Sequence, residues 1–590
     1  MNGADIKEYH KKADELQLSK QRYWHLLLHF TGSESEIDDP NFFFAKNGKY
    51  DPKAELDATI NAFYNEKRFD DNSSACRFPA RLHWLKDKLD LQDLPKVTCT
   101  EYDKIVKRLD PRSVTLVFPA AHINSPASMF GHTFLRINSS YNSKLLSYAI
   151  NYAAAADGSK ENAIVFAIKG LFGGYYGTYS MLPYYDKLKE YRDTESRDIW
   201  EYDLNFSPKE TLEMVRHIWE LSDTSSFYYF FTENCSYNML WLMEVARPSL
   251  HLRDKFTYQV IPLETVHVAE QAGIVTSKSY RPSKRTELLA YEDALGTKVE
   301  TRVLDLLDKN ASIESVKSDE NLTLQQKQYI FEAAADLLEY RLMKGKLKKE
   351  KYLNDFHTMA SARASLGKGQ PLYIPEPPNP DSGNRAFRVS AAHGYRNGKA
   401  IEFLGVRPAY HDLRDSSVGF LRGTQIEFGN IELNYMDGEV NIEEATLMSI
   451  QSIAQRTAFF DNFSWRMKTG LDRNFMDNNA NYLATVGAGY SWGDKYGYFY
   501  VMADPLVYFE KHIDAGLGSS IGVVYDDSLY FTTNIEATHR WYYGTKNQWL
   551  ISASENYRVT KNISLQLSYN YKDRTDIREQ TYKFALNYFF

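Results

Sequence analysis

With 590 residues the chain is too long for one ordinary core, and roughly two or three domains are expected. A mean hydropathy of -0.50, with no apolar run near the ~20 residues that a spanning helix needs, excludes a helical membrane protein. A net charge of -7 without a basic stripe excludes nucleic acid as the main partner.

The first residues, MNGADIKEYH, lack a basic region followed by an apolar segment. Because the strands described below require export, a signal peptide is expected to have been removed, leaving Met1 as a mature or engineered start. From about 15 to 95, Leu16, Tyr23, Leu26, Leu27 and Leu28, and then Ala54 to Tyr64, follow helical spacing, so 1–110 is expected to be a helical N-terminal domain. Cys76 and Cys99 are the economical disulfide pair in an oxidising compartment, leaving Cys235 as a free thiol. The alternative is three unpaired buried cysteines.

Between Ser113 and about Arg285 the periods mix. Val114 to Phe118, His132 to Ile137, Leu145 to Tyr152 and Ala163 to Ile168 are strand-like, while Pro208 to Leu221 and Ser236 to Ala246 are helix-like. That is the pattern of an α+β domain over 111–285. Helical signal returns over 286–368, including Phe331 to Gly345 with its Lys-rich C-terminal end. Pro371, Pro375, Pro377, Pro378 and Pro380 then make 369–384 an extended linker.

Beyond Asn384 the period becomes two. Ile563, Leu565, Leu567 and Tyr569 alternate with Asn562, Ser564, Gln566 and Ser568, and Leu529, Phe531, Thr533, Ile535 and Ala537 repeat the arrangement. In the last ten residues, TYKFALNYFF, one face carries Tyr582, Phe584, Leu586, Tyr588 and Phe590, and the other Thr581, Lys583, Ala585 and Asn587. An aromatic content of 14% with 43 Tyr suits the girdles of a membrane interface. About twelve such strands fit into 385–590, the even count of a single-chain antiparallel transmembrane β-barrel. A soluble β-sandwich would also alternate, but the aromatic terminus and the many short turns favour the barrel.

The chemistry-bearing candidate is Cys235, in FFTENCSYNMLWLMEVARP. Asn234 caps a helix whose buried face holds Met239, Leu242, Met243 and Ala246, placing Cys235 in the first turn, where the helix dipole lowers a thiol pKa. The free N–H groups there are expected to hold an oxyanion. His132, following Gly131 at the start of a strand, is the candidate base, and His122 is a second. Asn151 is the preferred third member that orients the imidazole, with Tyr148, Ser125 and Asn124 as lesser choices. In KGLFGGYYGTYSMLPYY, Gly170, Gly173, Gly174 and Gly177 permit close approach, while Leu171, Phe172, Tyr175 and Tyr176 offer an apolar-aromatic lining for an acyl chain. The competing reading of this stretch is a plain Gly-rich connection. Substrate contacts are expected at Ser125, Phe172, Gly173, Gly174, Tyr175 and Asn234. Arg192, Glu195, Arg197, Asp198 and Glu201 read as a salt-bridged scaffold. No histidine or cysteine spacing implies a metal, and no cofactor is called for.

The stretches SMFGHTFLRI, NYAA, KGLFGGYYG, YRDTESRDIWEYDL and ENCSYNML resemble the periplasmic domain of bacterial lipoprotein N-acyltransferases of the Lnb type. That domain is similar to the circularly permuted papain-like fold of the NlpC-like and lecithin:retinol acyltransferase-like superfamily. FFF at Phe42 to Phe44 and CRFPAR at Cys76 to Arg81 look like the helical domain that often precedes it. The resemblance implies a Cys-His pair at Cys235 and His132, a membrane phospholipid as acyl donor and a lipoprotein N-terminus as acceptor. The expected protein is therefore an outer-membrane thiol acyltransferase facing the periplasm. Its rivals are a cysteine hydrolase of peptidoglycan or lipid esters, and a catalytically dead porin-like export protein.

Overall fold

The computed structural model describes residues 3–590 other than 93, 121–130, 142, 156–164, 166–168, 171, 478, 511, 528, 545, 546, 575 and 576. The chain folds as two compact units, Met1–Ser283 and Lys284–Phe590.

In the first unit the N-terminal helices are not freestanding. The Pro52–Tyr64 helix starts on Asp51, whose carboxylate accepts from the N–H groups of Lys53 and Ala54. The Pro79–Leu89 helix has no cap of its own; its N–H groups at Ala80 and Arg81 donate to Glu220 at 2.8 and 2.9 Å. Glu220 ends the Pro208–Glu220 helix of the α+β region, so the expected helical domain and the domain that follows share one core. Arg81, fully buried, is neutralised by Glu55 at 2.7 Å. Cys76 and Cys99 form a disulfide, and Cys235 is a buried free thiol.

Among the described residues seven strands build the sheet of this unit: β1 Ser113–Pro119, β2 Phe134–Asn138, β3 Tyr148–Ala154, β4 Tyr175–Pro183, β5 Ile199–Leu204, β6 Ser225–Tyr228 and β7 Val275–Arg281. Their order is β6-β4-β3-β2-β1-β5-β7 and every neighbouring pair is antiparallel. The Cys235–Ala246 helix packs on β2 and β3. One strand expectation changes, and another cannot be placed. Leu145 lies in a short 3-10 turn, Lys144–Leu146, ahead of β3. Ala163 to Ile168 falls outside the described residues except for Val165, which is helical and exposed. Glu201 on β5 gathers Arg136, Lys144 and Arg281 at 2.7 to 2.9 Å, and Arg197 pairs with Glu195 at 3.0 Å.

The second unit is a barrel preceded by helices. Its strands are β8 Arg388–Arg396, β9 Lys399–Arg407, β10 Thr424–Met436, β11 Glu439–Ser452, β12 Ser464–Asp472, β13 Asn481–Gly493, β14 Gly497–Phe509, β15 Ile513–Asp526, β16 Phe531–Tyr542, β17 Asn547–Thr560, β18 Ile563–Arg574 and β19 Ile577–Phe589. Each pairs antiparallel with the next, and β19 returns to β8 with Phe589 opposite Arg388. These twelve strands, counted among the described residues, close the ring and leave no edge. Tyr582, Phe584, Leu586, Tyr588 and Phe590 are each about half exposed, while Thr581, Ala585 and Asn587 are buried, so the outward face is the apolar one. No described helix is long and apolar enough to cross a membrane. The helices from Lys284 to Ser365 form their own core around Leu288, Val303, Ile330, Phe331 and Leu337, and Phe459 and Phe460, between β11 and β12, join it.

Candidate active site

Asn234 stands before the Cys235–Ala246 helix with extended backbone, and its Oδ1 accepts from Ser236 N–H at 3.0 Å and Tyr237 N–H at 3.2 Å. Its Nδ2 donates to the carbonyls of Phe230 and Val260 at 3.0 and 2.6 Å. Both ends of the amide are thus spent on the fold, which fixes where the helix begins and where Cys235 points. The Cys235 side chain is 4% exposed.

His132 lies two residues ahead of β2, half-buried, its ring stacked on Tyr191 with centroids 5.6 Å apart. Its Nε2–H donates to Asn151 Oδ1 at 2.6 Å. Asn151 is buried on β3 opposite Ser180 of β4. The same imidazole acts on the Cys235 thiol through its charge and a hydrogen bond. Burial alone would raise the thiol pKa; the positive charge and hydrogen bond of His132, with donation from the Thr133 N–H and Ser236, bring it from 9.0 down to about 7. Cys235, His132 and Asn151 therefore meet in one place.

The helix N–H groups are not free. Ser236 and Tyr237 donate to Asn234, and the Cys235 N–H donates to the Tyr228 hydroxyl at 3.1 Å. The expectation that these groups stand open to an oxyanion is corrected, because a buried helix start must satisfy its own donors. Tyr228 is the group that sequence reasoning missed. It ends β6, is 8% exposed, and its hydroxyl also lies within hydrogen-bonding reach of the Cys235 sulfur. Burial raises its pKa, and the neighbouring thiolate adds to the rise, so the hydroxyl keeps its proton and remains a donor. Ser236 Oγ, 3.6 Å from the sulfur, accepts from Thr133 Oγ1 at 2.8 Å.

The other expected positions spread out. His122, Asn124, Ser125 and Leu171 lie outside the described residues. Tyr148 pairs with Pro183 at the start of β3, three positions from Asn151. Tyr175 is buried and pairs with Tyr228 across β4 and β6, which ties the Gly-rich stretch to the site. Gly173 has φ +74° and lies against the Tyr229 ring, which a Cβ would strike. Gly174 is exposed, its N–H donating to Lys169 O at 2.7 Å, and Phe172 is 78% exposed. Glu233, next to the cap, has its carboxyl pushed up to about 7 by burial and by Glu36 and Asp38. Among the described residues no group of three or more His, Cys, Asp and Glu side chains is placed to hold a metal ion.

Residues 101–272 match the family model of the Lnb N-terminal periplasmic domain. Three further models, each described as a domain of unknown function, match 16–88, 278–374 and 377–589. No curated protein matches the chain. Among solved structures, a NanC porin is similar at 16% identity and a TM-score of 0.24, covering 34% of this chain and 100% of that one. A KdgM porin is similar at 14% identity and a TM-score of 0.23, covering 34% and 99%. An outer membrane channel from Pseudomonas putida is similar at 12% identity and a TM-score of 0.24, covering 38% and 100%. The stretch that matches the Lnb periplasmic domain model precedes a closed twelve-strand barrel with an apolar outer face, an outer-membrane architecture with the thiol domain in the periplasm.

Proposed function

We propose that this protein is a periplasmic thiol acyltransferase anchored in the outer membrane, moving an acyl chain from a phospholipid through a Cys235 thioester to the N-terminal amine of a lipoprotein. The observation that carries the reading is the contact between a thiol brought down to about 7 and an imidazole whose far nitrogen is held by Asn151. His132 takes the thiol proton, and Sγ forms a bond to the ester carbonyl carbon. The Tyr228 hydroxyl donates to the carbonyl oxygen as it gains charge. When the tetrahedral species collapses, the ester C–O bond breaks and His132 protonates the departing lysophospholipid alcohol. The acceptor amine then attacks the thioester, His132 receives its proton, and the amide leaves as the thiolate re-forms. Acyl chain and lipoprotein anchor both reside in a membrane, so tethering the enzyme there raises their effective concentration.

The test is intact-mass measurement of the full chain after incubation with phospholipid, then with a diacylglyceryl lipopeptide. An acyl adduct on Cys235 that disappears as N-acylated lipopeptide forms supports the reading, and Cys235→Ser should yield neither. Free fatty acid as the sole product would make the protein a hydrolase, and N-acylated product from Cys235→Ser would end the thioester route.

A further inference from the structure

The barrel interior is crossed at both ends by the chain's own connections. Around the ring of twelve strands, β12 and β18 stand six positions apart, on opposite walls. The connection leaving β12 spans that distance. Arg574 of β18 donates to the carbonyls of Phe475, at 2.5 Å, and Asp477. Lys572 of β18 donates to Arg473 O at 3.1 Å, and Gln548 of β17 to Asn474 O at 2.6 Å. Phe475 is 7% exposed, its ring 4.7 Å from Tyr508 and 5.5 Å from Tyr542. Side chains of two distant strands therefore hold main-chain carbonyls of this connection, which a loop projecting into solvent would offer to water.

The end that carries Arg388 and Phe589 is crossed in the same manner. Between β9 and β10 the chain turns inward on fully or nearly buried charges, with Arg407 donating to Asp415 at 2.5 Å and Arg388 to Asp412 at 3.0 Å. Leu413 packs into a cluster with Tyr498, Tyr500, Met502 and Val524 of β14 and β15. Thr532 of β16, six strands from β10, donates to Asp415 O at 3.4 Å. Between the two crossings lies a chamber of about 300 Å³ that Leu413 and Arg414 line from one connection and Arg473 and Asn474 from the other. Inside it Arg466 of β12 bridges Asp504 of β14 at 2.7 Å and Glu536 of β16 at 2.6 Å.

We propose that the lumen is sealed at both ends by these two connections, so that the barrel is a membrane anchor and not a pore for small solutes. Each seal combines buried ion pairs or carbonyl acceptors with an apolar plug, Leu413 at one end and Phe475 at the other, and opening either strands buried charge.

The test is conductance of the purified full chain in planar bilayers, with folded protein identified by heat-modifiable gel migration. The unaltered chain is expected to give no steady current. Deletion of 474–477, and Arg388→Ala with Arg407→Ala, should each stay closed, and the combination should conduct. A porin-like current from the unaltered chain overturns the proposal. A folded combined variant as tight as the parent overturns it too, and a current from one variant alone overturns the two-seal arrangement. If the combined variant fails to fold, Ser552→Cys, a chamber position, in a Cys235→Ser chain gives an independent reading. A bulky cationic thiol reagent should modify it far more slowly than a cysteine on the outer surface, and equal rates would overturn the seal.

Discussion

At the residue scale the site is governed by competition around one sulfur. Burial favours the neutral thiol, while His132, the Thr133 N–H and Ser236 favour the thiolate, and the balance falls at about 7, against 9.0 for an ordinary thiol. A depressed thiol pKa means that thiolate exists above about 7 and is lost as pH falls through it. Alkylation by iodoacetamide, followed by intact mass, should therefore rise through pH 7 and level off above it in the native protein. Removing the cation with His132→Ala leaves burial unopposed by charge and should move the midpoint upward. Asn151→Ala keeps the imidazole but frees its ring, so its midpoint should lie between the two. A profile indifferent to His132 would detach the imidazole from the thiol. The placement of Cys235 after a helix cap and of His132 between a glycine and a strand was legible in the sequence, because each sits in a local pattern. Tyr228 was not, since its place beside the sulfur depends on β6 pairing with β4 across the Gly-rich stretch, and no spacing along the chain encodes that register.

At the element scale the helix that carries Cys235 owes its first turn to one amide. Asn234 satisfies two N–H groups that would otherwise be buried unpaired, and the Cys235 N–H is met by Tyr228. Asn234→Ala should cost about 1 kcal/mol or somewhat more, the loss of a cap plus the two carbonyls its Nδ2 now serves. Asn234→Asp keeps the capping oxygen but turns a second carboxylate oxygen on those two carbonyls, which repel it. Thermal unfolding of the detergent-solubilised protein should place both variants below the parent, with the alkylation midpoint of the Ala variant displaced. An Ala variant as stable as the parent would show that packing alone sets the helix start. The cap was readable from Asn-Cys ahead of an apolar run. Its consequence, that the helix end has no donors left for substrate, was not, because a sequence does not reveal which N–H groups are already met. The N-terminal helices teach a related point: Pro79–Leu89 begins on a carboxylate far along the chain, so a segment that reads as a separate domain is built into its neighbour.

At the scale of the whole molecule the dyad period of the C-terminal third was enough to foresee a closed twelve-strand barrel, since alternation writes both faces of every strand into the sequence. The seals were not foreseeable, because polar connections read alike whether they cross a lumen or stand in water. The face assignment makes a sharp contrast within two adjacent residues. Phe584, mid-strand in β19 between His393 and Leu567, is 53% exposed on the outside. Lys583 points inward and pairs with Glu432. Phe584→Arg places a charge among acyl chains and should cost about 2–4 kcal/mol near the bilayer midplane, whereas Lys583→Arg keeps charge and partner in the lumen and should cost less than ~1 kcal/mol. Urea titration of folding into phospholipid vesicles reads both. Equal losses would mean that lipid does not meet the Phe584 face, and with it would go the anchoring on which the proposed acyl transfer relies.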